Sequence, residues 1–195
     1  MARNFMCTKT DPVVETKAGK LRGFQLDGTY AFHGVKYADA KRFHQPTPVE
    51  PWEGIKNALA YGYVCPMLQQ DQPSNELMVP HRYWPLDENC QYLNIWTQHL
   101  DPNAKKPVLV WLHGGGFAAG SSIEHIAYEG ENMSKYGDVV VISLNHRLNI
   151  LGYLDLSPFG EEYKNSGNAG NADMVAALQL SLIHISEPTR RVVIS

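Results

Sequence analysis

The sequence predicts an α/β protein with a mixed, mostly parallel central sheet and a small antiparallel sheet before it. Three observations carry this. Lys106-Pro107-Val108-Leu109-Val110-Trp111-Leu112 is a β-branched apolar run too short for a lone helix, and Gly114-Gly115-Gly116 breaks it abruptly. Asp138-Val139-Val140-Val141-Ile142-Ser143-Leu144-Asn145 is almost continuously apolar, the pattern of a strand covered on both faces of a parallel sheet. Between them Tyr128 to Tyr136 predicts a short helix, so strand, loop, helix and strand make a βαβ unit with a right-handed crossover.

The remaining elements follow in chain order. Val13–Thr16, Lys20–Leu26 and Tyr30–Val35 are short β-prone runs, and Asp27-Gly28 between the last two is a two-residue hairpin signal. These strands are expected to form the accessory sheet. Prolines at 46, 48, 51, 66, 73, 80 and 85 leave residues 36 to 90 irregular, and so long a segment inside a domain suggests a functional surface. Tyr92–Thr97 is a strand, set off from the glycine-loop strand by the turn Asp101 to Lys106. Asn171 is the expected N-cap of a further helix reaching Gln179, with Met174, Ala177 and Leu178 on one face. Val139–Leu144 is expected to lie near an unpaired sheet edge, an association hazard.

A chain of 195 residues is one domain or part of a larger one, and 44% hydrophobic against 19% charged residues makes it globular. A formal net charge of −3 gives no electrostatic reason to expect nucleic acid or an anionic membrane as partner. Met1 to Cys7 has no apolar signal core and no window is long enough to span a membrane, so the expected location is cytoplasmic, or secreted if an upstream signal was lost. Cys65 and Cys90 are either two buried thiols or, in an oxidising compartment, a disulfide. No Cys-x-x-Cys or His/Cys cluster points to a metal.

The glycine loop carries the chemistry. Three residues without Cβ let the backbone take positive φ and let a ligand atom approach the amide N–H groups. A plain turn is one competing reading. A dinucleotide loop is another, because Gly114, Gly116 and Ala119 fit the G-x-G-x-x-G/A spacing. That fingerprint needs a helix opening inside it and an acid ending the next strand; here the loop continues through Ser121-Ser122, and Asp138 precedes the next strand. Headed by His113, the loop has the form of the HGGG oxyanion loop of α/β-hydrolases, whose amides stabilise the tetrahedral intermediate of acyl transfer.

Several further stretches agree in order and spacing: Gly19-Lys20-Leu21-Arg22-Gly23, Phe32-His33-Gly34-Val35, Pro51-Trp52-Glu53-Gly54, Cys65-Pro66, Glu88-Asn89-Cys90-Gln91-Tyr92-Leu93-Asn94-Ile95, Asn145-His146-Arg147-Leu148, and Gly167 to Gln179. From about Pro12 to Gln179 the chain resembles the type-B carboxylesterases, the family of para-nitrobenzyl esterases and cholinesterases. The resemblance implies the N-terminal part of an α/β-hydrolase fold. It also implies cleavage of small-molecule carboxylic esters by a Ser, Glu or Asp, His triad, with no cofactor. Gly115 and Gly116 match the family's oxyanion donors, and Cys65 and Cys90 match the pair bridged in secreted members. Phe117 and Trp84 match gorge positions, although both read equally well as core aromatics. Asn89, Lys36 and Asn171-Ala172 depart from the family's usual residues, none of them in the chemistry.

The triad itself is missing. No G-x-S-x-G occurs, and Ser186 and Ser195 lack flanking glycines. In this fold the His follows the Ser, yet all eight histidines precede the place of the Ser or lie in the tail. His113 is expected to order the loop, and His33, His44, His81, His99, His125 and His146 to be surface or packing residues. Residues 1–179 therefore read as the N-terminal portion of a carboxylesterase domain, inactive alone. Residues 180–195 read as a non-native tail, because an alanine-rich helix there gives way to a β-branched run and Glu-Pro resembling translated sequencing adapter. Two alternatives stand beside this reading: a non-catalytic cholinesterase-like adhesion module, and a hormone-sensitive-lipase-like esterase, which shares the HGGG loop but not the N-terminal hairpins.

Overall fold

The computed structural model describes residues 3–67, 82–184 and 192–194. Strands β1 (Phe5–Met6), β2 (Val13–Glu15), β3 (Lys20–Arg22), β4 (Phe24–Leu26) and β5 (Thr29–Lys36) come first, and β6 (Ala38–Asp39), β7 (Thr47–Pro48) and β8 (Ile55–Asn57) are short pieces of the Pro-rich stretch. Then follow β9 (Tyr92–Thr97), β10 (Val108–Leu112), α1 (Glu131–Gly137), β11 (Val140–Leu144), α2 (Asn149–Tyr153), α3 (Ala169–His184) and β12 (Val192–Ile194).

The main sheet runs β1-β4-β5-β9-β11-β10-β12. It is mixed: β11/β10 and β10/β12 are parallel, and the pairs from β1 to β11 are antiparallel. The β4–β5 hairpin turns at Asp27 and Gly28, whose φ values of 50° and 88° are those a tight primed turn demands at both central positions. The hairpin does not belong to the accessory sheet, contrary to the sequence-based expectation. Phe24 and Ala31 are buried against Trp96 and Val141, and that apolar contact draws β4 and β5 into the main sheet. The accessory sheet is β2-β3-β8, and the predicted strand over Lys20–Leu26 is divided at Gly23 between the two sheets.

The β11 strand is buried at all five positions between β9 and β10. The edge expected near it therefore lies two strands further out, at β12. There β12 pairs with Val108–Val110, leaving Trp111 and Leu112 without a ladder partner on that side among the described residues. The β-branched content of Val140-Val141-Ile142 suits this central place, because branched side chains pack well on a pleated surface covered on both faces.

Two helix boundaries differ from expectation. Ile126–Tyr128 is a 3₁₀ turn, and the helix proper begins at Glu131. Asn171 is not an N-cap: Ser166–Asn168 already coil as a 3₁₀ turn that passes into α3 at Ala169 (φ −60°, ψ −38°). Its side chain instead accepts from the Tyr153 hydroxyl at 3.3 Å and donates to Asn168 Oδ1 at 3.2 Å. The inward face of α3 is as expected, with Ala177 buried and Met174 and Leu178 packed on the core. The helix continues to His184, past the Gln179 boundary read from sequence. His81, Ser186 and Ser195 lie outside the described residues.

Candidate active site

Register places the site. Strands β10 and β11 are parallel with Leu112 opposite Leu144, so the residues that follow them, His113 to Phe117 and Asn145 to Leu148, leave the sheet side by side. This is the carboxyl end of parallel strands, where open α/β sheets bind ligands.

The glycine loop is exposed from Gly114 to Ala118, with Gly115 at φ 120°, Gly116 at φ 60° and Phe117 at φ 60°. Its conformation is fixed through carbonyls. His113 Nδ1 lies 2.9 Å from the Gly114 carbonyl oxygen, and the Gly115 carbonyl accepts from the Ala118 and Ala119 amides at 3.1 and 3.2 Å. The Phe117 carbonyl accepts from the Asn149 amide at 2.7 Å. A peptide group is planar and trans, so holding one carbonyl sets the direction of the N–H across the same bond. Holding Gly114 O aims Gly115 N–H, and holding Gly115 O aims Gly116 N–H. Neither of these two amides donates to protein among the described residues.

A buried polar layer supports the loop from beneath. Asn145 Oδ1 accepts from Ser122 N at 2.8 Å, its Nδ2 donates to Tyr63 O at 3.1 Å, and its carbonyl receives the Tyr37 hydroxyl at 2.7 Å. Asn94 Nδ2 lies 3.3 Å from both Ser122 Oγ and Ser143 Oγ. Asn145→Ala strands the buried Ser122 N–H and takes the donor from the part-buried Tyr63 C=O. It is expected to cost about 1–3 kcal/mol, read as a lower urea midpoint at unchanged slope.

Burial decides the electrostatics here. It pushes His113 down to about 4 and lowers His146 as well, so both rings are neutral near pH 7. Cys65 and Cys90 are free thiols, and the hydrogen bond they share, with burial, holds Cys90 well above the ordinary thiol range. Cys65 Sγ also receives the Leu148 amide at 3.2 Å. Among the described residues no His, Cys, Asp and Glu group has a metal-holding arrangement. Phe117 and Trp84 are not core residues: Phe117 is 58% exposed and meets Tyr153 edge to face at 5.2 Å, while exposed Trp84 meets Tyr61 at 5.6 Å.

The largest feature that sequence reasoning missed is an ion pair beside the loop. Arg147 Nε and Nη2 reach Asp173 Oδ2 and Oδ1 at 2.8 and 2.7 Å, with the side chains 2% and 0% exposed. The available signal was an acid on the inward stripe of α3, four residues before Ala177.

Sheet, crossover and loop together define an α/β-hydrolase. The Carboxylesterase family model matches residues 10–187, and the chain belongs to that family. It is 38% identical over 175 residues to the para-nitrobenzyl esterase of Bacillus subtilis (strain 168), covering 87% of this chain and 34% of that protein. Among solved structures it is similar to an esterase from anaerobic Clostridium hathewayi described as able to hydrolyse aliphatic aromatic polyesters. That match has 64% identity and a TM-score of 0.90 over 94% of this chain and 36% of the other. The carboxylesterase EST55 of Geobacillus stearothermophilus matches at 35% identity and a TM-score of 0.78, over 93% and 36% of the two chains. The chain thus spans about a third of the length of the relatives it matches.

Proposed function

We propose that the chain is the N-terminal third of a serine carboxylic-ester hydrolase, with Gly115 and Gly116 as its oxyanion donors. The observation that carries this is the pair of peptide planes at the end of β10, aimed through their carbonyls with both N–H groups unclaimed among the described residues. Donors fixed in advance at the point where negative charge develops need no reorganisation during the reaction, and such preorganisation is a principal source of catalysis in acyl transfer. The nucleophilic Ser and the His base come from sequence beyond residue 179, and residues 180–195 contribute no chemistry. The substrate is a small-molecule ester; the Clostridium hathewayi relative extends the proposed class to esters joining aliphatic and aromatic units. The formal net charge of −3 gives no electrostatic attraction for a nucleic acid or an anionic membrane; separately, among the described residues no helix is long and apolar enough to cross a membrane.

Hydrolysis of a p-nitrophenyl ester tests this. The whole protein is expected to turn the ester over, and to stop when the Ser of its G-x-S-x-G is changed to Ala. The present chain alone is expected to match a heat-killed control. Turnover by this chain, or none by the whole protein, overturns the reading.

A further inference from the structure

The residue after Asn145 has no part in the chemistry above, yet it lies against the glycine loop. His146 is 3% exposed, and its ring stacks on that of His113 with centroids 5.1 Å apart and planes at 17°. The stack follows from register, because Leu112 and Leu144 are opposed and each chain leaves its strand toward the same side. Each ring is also tied to backbone: His146 Nδ1 lies 2.9 Å from the Arg147 carbonyl, as His113 Nδ1 does from Gly114. A carbonyl oxygen can only accept, so in both rings Nδ1 carries the proton and Nε2 the lone pair.

We infer that His146 is a positioning residue for the oxyanion hole, holding the His113 ring so that its Nδ1–H fixes the Gly114 carbonyl and thereby aims the Gly115 N–H. This deepens the esterase reading and rests on it. The relay has little slack. A Cβ on Gly120 would come within 2.5 Å of Gly114 O and 2.9 Å of His113 Nδ1, so the crossing chain leaves no free space beside the Nδ1-to-carbonyl contact. Neutrality suits the relay, since two stacked imidazolium rings would repel. Burial lowers both rings, while Glu124 beside His113 and Asp173 beside His146 oppose that shift.

The test uses the whole protein carrying His146→Ala or His146→Phe. Ala removes the stacking surface; Phe restores a flat ring without the imidazole. Misplacement of a catalytic group by about 1 Å can cost on the order of a hundredfold. The Ala variant is accordingly expected to lose at least about tenfold in kcat with KM within twofold. It should also lose the same factor in affinity for a trifluoromethyl ketone, whose hemiketal oxyanion occupies the hole. The Phe variant should recover most of both. Unchanged kcat and ketone affinity in the Ala variant would overturn the inference, as would a loss confined to KM. Imidazole ¹⁵N shifts give a second readout without turnover: His113 should be the Nδ1–H tautomer in the wild type and in His146→Phe, and a mixture in His146→Ala. An inactive wild type that still shows this change would sink ester hydrolysis and leave the positioning relation standing. A His113 tautomer indifferent to residue 146 would sink the relation itself.

Discussion

Asp173→Ala is expected to destabilise the protein by about 3–5 kcal/mol, the range for breaking a buried ion pair by removing one partner. The magnitude follows from what is left behind. The Arg147 guanidinium is 2% exposed, and its other contacts are the carbonyls of His44 at 2.8 Å, Lys41 at 3.3 Å and Ala169 at 3.4 Å, dipoles that cannot replace a carboxylate. Asp173 Oδ2 also receives the Arg147 amide at 3.0 Å, so the variant leaves a buried N–H without that acceptor. The pair binds α3 to the segment leaving β11, where a Cβ on Gly152 or on Gly170 would come within 2.4 or 2.5 Å of Arg147 O. Urea unfolding measures the cost, and a shift under about 1 kcal/mol would show the pair to be dispensable. Arg147→Met with Asp173→Leu should recover most of the loss, because the penalty belongs to the unpaired charge and not to the absence of the bridge.

That pair also marks the limit of what the sequence makes legible. The strand over Val140–Leu144 was readable because burial on both faces demands an apolar run, and that over Tyr92–Thr97 because its residues favour β structure. The glycine loop was readable because positive φ at Gly115 and Gly116 admits few other residues. The assignment of β4 and β5 to the main sheet was not, since period-two patterning shows which face is buried and not which sheet covers it. Contacts between distant residues were equally hidden. Nothing local to Arg147 names Asp173, 26 positions on, and nothing local to His113 names His146. Such pairs come from strand register and helix placement, and they exist only after the fold does.

Gly115→Ala in the whole protein is expected to lower kcat by about 10²–10³, the loss typical of removing one oxyanion donor, with KM nearly unchanged. A Cβ there would lie 2.0 Å from the Ala119 carbonyl oxygen, and φ of 120° is outside the range L residues with a Cβ tolerate. Relief requires that the peptide rotate, which carries the Gly116 N–H away with the Gly115 carbonyl. Gly116→Ala is the informative contrast. At φ 60° a Cβ meets nothing within 4 Å, so the change incurs the left-handed penalty of about 1–2 kcal/mol and leaves both amides in place. Its kcat should fall by tenfold at most. If the two variants lost activity equally, the loop would be sensitive to any added methyl and the assignment of its amides as oxyanion donors would lose its support. If Gly115→Ala alone raised KM and spared kcat, the amides would be holding ground-state substrate and not the developing charge.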